Sequence, residues 1–145
     1  MAKTEEKQIQ TTISHYLTAL RIPHTVTDAS VVKVADGSFR AGKVASGWPD
    51  ITGCLPSSVS PLLAGRLLAI EVKTKTGKLL PGRLVKRGFR RVYVPGQAET
   101  LTELRKAGAV AFVARSIEDV IEALRLAEQI IGNGGDLVTG LPELK

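Results

Sequence analysis

Cysteine is almost missing from this chain: Cys54 stands alone among 145 residues. One thiol closes no intramolecular disulfide and builds no thiolate zinc cage, a usage that fits a reducing compartment. Cys54 follows Asp50-Ile51-Thr52-Gly53 in a predicted strand, which argues for a buried, unreactive thiol rather than a nucleophile. Aromatic residues are also scarce, at 4% against 43% hydrophobic, so the expected core is aliphatic. No apolar run approaches the roughly 18–20 residues of a membrane span, and the N-terminus has no signal-peptide pattern. A soluble, cytoplasmic protein without a membrane partner is expected. The last absence is local: from Thr74 to Gly96 there is no acidic residue.

That acid-free segment holds Lys75, Lys78, Arg83, Lys86, Arg87, Arg90 and Arg91. It carries seven positive charges against a net +6 for the chain, so everything else nets one negative charge. A pI near 9.7 suggests a polyanionic partner, although a modest positive balance also occurs in proteins that bind nothing charged. Concentration of the charge in one segment is the more informative signal. The length fits one domain with a real core and not two; the expected division is a domain over 1–131 and a C-terminal tail over 132–145, partly mobile or adding a partner contact.

The chain is organised around the stretch from Gly47 to Lys73, which opens with Gly47-Trp48-Pro49-Asp50-Ile51 and closes with Leu67-Leu68-Ala69-Ile70-Glu71-Val72-Lys73. Both ends read as strands carrying charge into an apolar sheet. Strand alternation puts Glu71 and Lys73 on one face and Val72 on the other. Burying a carboxylate and an ammonium together costs desolvation unless they are paired or hold a metal. Asp50, set by Pro49 in extended backbone, supplies a second carboxylate able to converge there. An acid two residues before a lysine also occurs at Glu5–Lys7 and Glu143–Lys145. Only the middle instance ends an apolar strand, and its plain alternative is a solvent-facing salt bridge on an edge strand.

Apolar residues at Ile9, Ile13, Tyr16, Leu17 and Leu20 predict an amphipathic helix from about Thr4 to Leu20, with Glu5 and Glu6 in its first turn. Those acids either suit the helix N-terminus or reach over the sheet. His24 to Val34 predicts a strand, and Asp36-Gly37 a hairpin turn before Ser38 to Val44 returns. Lys33, Arg40 and Lys43 then project as phosphate contacts or as a solvated surface. Trp48, the single tryptophan, is expected as a core anchor more than a base-stacking platform.

Beyond Lys73, Thr76-Gly77 turns the chain. Leu79 to Val94, bracketed by Pro81-Gly82 and Pro95-Gly96, predicts a two-stranded basic hairpin, either a groove or phosphate contact element or a sheet extension kept soluble by its arginines. A helix over Gln97–Lys106, a buried strand over Ala109–Ala114 and a Ser116-capped helix from Ile117 to about Ile131 complete the pattern, with Asp119 in a capping-box position.

In this order the motifs resemble the VRR-NUC family, the virus-type replication-repair nucleases of the PD-(D/E)XK superfamily. Gly47-Trp48-Pro49-Asp50 is similar to its first motif, Glu71-Val72-Lys73 to its second and Gln97 to its helix-borne glutamine. Arg115-Ser116-Ile117-Glu118-Asp119 resembles its closing pattern, so the likeness spans about Glu5 to Leu124. It implies a restriction-endonuclease-like α/β fold with a mixed central sheet flanked by helices, and a Mg²⁺- or Mn²⁺-dependent DNA endonuclease. Asp50, Glu71 and the Val72 carbonyl would be metal ligands, with Glu6 the best match for the family's helix-borne acid. Lys73 would orient or help deprotonate water, and Gln97 would sit beside it to position water or phosphate.

Between Gly77 and Gln97 lie more residues than the roughly dozen usual in the family, so the basic hairpin over about 79–95 is expected to be an insertion. Its cations, with Lys75, Lys78, Lys33, Arg40 and Lys43, form the expected nucleic-acid contact. Stand-alone members of this size in phage and bacteria resemble homodimeric nucleases for Holliday-junction or branched DNA in replication and repair, which makes a homodimer in a bacterial or phage-infected cell the expectation. The alternatives are a non-catalytic nucleic-acid-binding module and a nuclease acting on RNA.

Overall fold

The computed structural model describes residues 2–27, 32–33, 39–40 and 47–145. Four strands make the main sheet: β1 (His24–Val26), β4 (Ile51–Cys54), β5 (Leu67–Val72) and β8 (Val110–Ala114), in the order β1-β4-β5-β8. β1–β4 and β4–β5 are antiparallel, whereas β5–β8 is parallel. A parallel pair needs a crossover, and here it runs through β6 (Arg83–Arg87), β7 (Arg90–Val94) and helix α2 (Gln97–Lys106). Helix α1 (Ala2–Ala19) precedes the sheet, and α3 (Ile117–Gly132) and the short α4 (Leu137–Gly140) follow it.

β5 is buried almost throughout, and alternation sorts its residues between two cores. Leu68, Ile70 and Val72 join Ile51, Val110 and Phe112 beneath Ile13 and Leu17 of α1 and Val120 and Leu124 of α3. The opposite face has Ala69 and Ala111 under Leu101 of α2, where small residues let the helix lie close. Glu71 and Lys73 belong to this α2 face by alternation. Helices thus flank both faces, as the mixed α/β reading anticipated.

Two local readings held because their signals are local. α2 spans Gln97–Lys106, and Ser116 caps α3, its hydroxyl accepting from the Asp119 N–H while the Asp119 carboxylate accepts from the Arg115 N–H.

Other expectations are corrected. His24 to Val34 is not one strand: β1 ends at Val26 and pairs with β4, with Val26 opposite Ile51. A separate β2 (Val32–Lys33) pairs with β3 (Phe39–Arg40). Lys33 and Arg40 end these two strands, while Lys43 and the Asp36-Gly37 turn lie outside the described residues. Cys54 is exposed, not buried. Ile51 and Leu55 face the core, so Cys54 shares the face of Asp50, which α2 leaves uncovered over β4. Trp48 is half-buried and belongs to neither core; it lines a groove along α2 with Pro95 and Leu104.

The C-terminal segment is packed, with Leu137 and Leu141 in the main core. Arg105, buried in α2, donates to the carbonyls of Ala111 and Pro142 at 2.8 and 3.0 Å. Arg115 donates to the carbonyls of Thr74 and Gly77 at 2.5 and 2.8 Å and to that of Lys145 at 2.9 Å. These are hydrogen bonds to charged donors, the stronger kind.

Candidate active site

Asp50, Glu71, Lys73 and Gln97 meet where β4 begins and β5 ends. Ile51 faces Ile70 in the antiparallel register, so the next place sets Asp50 against Glu71. One place further would put Pro49 opposite Val72, and proline has no N–H to give the Val72 carbonyl. The ladder stops there. The Val72 N–H donates instead to Asp50 Oδ2 at 2.7 Å. Lys73 N–H donates to the Ala114 carbonyl at 3.1 Å. In a trans peptide the Val72 carbonyl must then point away from β8, to the side where Asp50 lies. Pro49 therefore does more than hold Asp50 extended: it leaves the Val72 carbonyl without a ladder donor at that place.

The backbone carrying Asp50 is fixed from β1. The Thr27 N–H donates to the Asp50 carbonyl at 2.7 Å, and the Thr27 hydroxyl donates to the Pro49 carbonyl at 2.5 Å. Pro49 itself is fully buried. Thr27 was not singled out in the sequence, because a polar residue just past a strand carries no sign of its partner.

Glu71 and Lys73 are both buried, with 2% and 7% exposure, and Lys73 Nζ lies 3.7 Å from Glu71 Oε1. Asp50 stands across the register from Glu71, near enough for its charge to act on the Glu71 carboxyl. Burial first, then the charge of Asp50, pushes the Glu71 carboxyl up to about 9, against a smaller opposing pull from Lys73. A neighbouring carboxylate disfavours ionisation of Glu71, and a cation between the two would relieve that penalty. Glu6 adds to the same field: its own carboxyl is raised by burial and by Asp50 and pulled back by Lys73. Glu5 instead borders a groove with Ser116 and Ile117 of α3, so Glu6 is the acid of α1 that faces the site.

Gln97, the first residue of α2, donates from Nε2 to Glu71 Oε1 at 2.7 Å and accepts from the Leu80 N–H at 2.7 Å. Its backbone N–H donates to the Leu80 carbonyl at 2.9 Å. The amide thus ties Glu71 to the chain entering β6 and, among the described residues, keeps a second Nε2 hydrogen free. Gln97 was expected beside Lys73, positioning water or phosphate; it shares Glu71 Oε1 with Lys73, which lies 3.7 Å from that atom, and so holds the Glu71 carboxyl as well.

β6 and β7 pair as an antiparallel ribbon from Arg83 opposite Val94 to Arg87 opposite Arg90. Arg83, Lys86, Arg87, Arg90 and Arg91 are all exposed on it. Lys75 and Lys78 are exposed too but stand apart, along a groove of about 610 Å³ with Arg105, Arg115 and the chain's end. The seven cations therefore form two groups. The ribbon's root is tight: a Cβ at Gly96 would sit 2.6 Å from the Gly82 nitrogen and 2.9 Å from the Leu80 carbonyl oxygen.

Among the described residues, no group of three or more His, Cys, Asp and Glu side chains is arranged to hold a metal ion unaided. The donor set is narrower: two adjoining carboxyls, a carbonyl turned toward them and a more distant Glu6. That fits Mg²⁺, which usually takes one or two carboxylates and keeps water or phosphate oxygens as its other ligands. No helix among the described residues is long and apolar enough to cross a membrane. No family model, curated protein or solved structure matches this chain.

Proposed function

We propose that this chain is a divalent-metal-dependent DNA endonuclease of restriction-endonuclease-like fold, selective for branched or Holliday-junction DNA and working as a homodimer. The observation that carries the reading is the meeting of Asp50, Glu71 and Lys73, with Lys73 3.7 Å from Glu71 in a buried corner of the sheet. A hydrophobic corner built only for packing has no use for two carboxyls and an ammonium, because taking them out of water is costly; functional sites keep such groups despite that cost.

In this reading Asp50, Glu71 and the Val72 carbonyl would hold Mg²⁺ or Mn²⁺, with Glu6 as the acid from α1. When bound, the ion supplies Lewis-acid polarisation of a phosphoryl oxygen and lowers the pKa of a water. Lys73 orients the attacking water and stabilises the negative charge that grows on the non-bridging phosphate oxygens. Water oxygen bonds to phosphorus, the phosphorus–O3′ bond breaks, and the proton passes to the leaving oxygen, leaving a 5′-phosphate and a 3′-hydroxyl. Gln97 keeps the Glu71 carboxylate aimed at the site. The ribbon of β6 and β7, an insertion in this reading, grips the phosphate backbone with Arg83, Lys86, Arg87, Arg90 and Arg91, while Lys75 and Lys78 meet a second stretch of the same substrate. Replication and repair intermediates are the branched substrates that such selectivity suits.

The test is a panel of labelled duplex, flap, fork, four-way-junction and RNA substrates with and without Mg²⁺ or Mn²⁺. Metal-dependent cleavage of the branched DNA is expected, lost in Glu71→Gln and Lys73→Ala. Binding without cleavage of any substrate in either metal would leave a binding module; preferential cleavage of RNA would replace the DNA assignment.

A further inference from the structure

The turn joining β6 to β7 has two residues, Gly88 and Phe89, inside the closing pair Arg87–Arg90. Gly88 has φ +65 and Phe89 a negative φ, the sign pattern of a hairpin turn that needs glycine first and tolerates most residues second. The turn thus explains Gly88 and leaves Phe89 unexplained. Nor does packing explain it: Phe89 is exposed at 112% relative accessibility, the most exposed large hydrophobic residue described.

Its surroundings point to a ligand. Lys86 lies directly opposite Arg91, and Arg87 opposite Arg90, so four cations ring the turn. Like charges opposed across a strand pair destabilise it, and a lone two-stranded ribbon is marginal already. No acidic side chain pairs with any of the four among the described residues. An aromatic ring raised on a ring of cations matches a nucleic acid whose phosphates meet the cations while a base step takes the ring.

Resting on the nuclease reading above, we propose that Phe89 is a wedge that stacks between unpaired or parted bases at a DNA branch point. Selectivity for branches over plain duplex then comes from the wedge, because opening a stacked duplex step costs energy that a branch has already spent. The cations supply affinity for any DNA; Phe89 supplies the preference.

The experiment uses the full chain in metal-free buffer with EDTA. A four-way junction and a matched duplex carry 2-aminopurine beside the branch or at the equivalent duplex step. Wild type should brighten the junction probe and bind the junction more tightly than the duplex. Phe89→Ala should lose the brightening and bind the junction about tenfold more weakly, with duplex affinity and salt slope unchanged; Phe89→Trp should restore both. Equal probe signal and junction affinity in wild type and Phe89→Ala would overturn the wedge. So would a shift from dimer to monomer in sedimentation without any change in probe signal, which would assign Phe89 to a contact between copies. Cleavage with Mg²⁺ or Mn²⁺ is read separately. Cleavage without Phe89 dependence overturns the wedge alone; a Phe89-dependent signal without cleavage in any metal supports the wedge and overturns the nuclease.

Discussion

In the proposed reading, a proton and a divalent cation would compete for Glu71. Its carboxyl is held up to about 9, mainly by burial and then by Asp50, so the metal-free protein keeps it protonated at neutral pH. The folded value lies above the ordinary 4.5. Between those values the native state binds more proton than the unfolded chain, and stability falls as pH rises through the window. The slope is at most about 1.4 kcal/mol per pH unit for one proton, and Glu6, raised as well, acts in the same sense. Thermal melts in EDTA should show the midpoint dropping from pH 5 to pH 9 in wild type and dropping less in Glu71→Gln; identical profiles would refute this account of Glu71. Gln97 offers a second test. Gln97→Ala frees the Glu71 carboxyl and the Leu80 N–H together. Cleavage should fall about 10- to 100-fold, the usual cost of losing a residue that orients a metal ligand, with DNA affinity retained.

At the scale of elements, the ribbon of β6 and β7 trades its own stability for charge. Replacing Arg87, Arg90 and Arg91 with glutamine removes the like-charge oppositions as well as the proposed phosphate contacts. The magnitude of the salt-dependence slope of DNA binding should drop by about 2–3, while the melting temperature without DNA stays level or rises. An unchanged slope would remove the ribbon as a main contact. Arg115 is the second element-level device, tying the Thr74–Gly77 turn after Lys73 to the chain's end. Arg115→Ala should cost about 1–3 kcal/mol in chemical denaturation. The same scale separates what sequence makes legible from what it does not. The bounds of α2 and the Ser116 cap were readable because caps and turns are written within a few residues. The convergence of Asp50 with Glu71 was foreseen from alternation and a proline. The exposure of Cys54 and the half-burial of Trp48 were not, since each depends on which sheet face a helix covers; nor was the strand partner of β1, which is set by pairing with a strand distant in sequence. The packed C-terminal segment escaped notice too: its anchors, Arg105 and Arg115, lie far from it in sequence and look like ordinary surface cations.

For the whole molecule, the nuclease reading makes reach the limit on where a cut would fall. Five residues of β6 extend about 17 Å at 3.3–3.4 Å each, roughly five nucleotides of a stacked strand at 3.4 Å per step. With Phe89 at a branch and the root of the ribbon beside Glu71, mapped cuts should fall within about five nucleotides of the branch. The reading rests most narrowly on Asp50, Glu71 and Lys73 as the proposed metal-dependent phosphodiesterase site. Its most direct measurement is cleavage and binding of one labelled four-way junction by wild type and Asp50→Asn, side by side in Mg²⁺ and Mn²⁺. Wild type should cut only with metal, and Asp50→Asn should bind the junction without cutting it. An Asp50→Asn protein as active as wild type would contradict the reading.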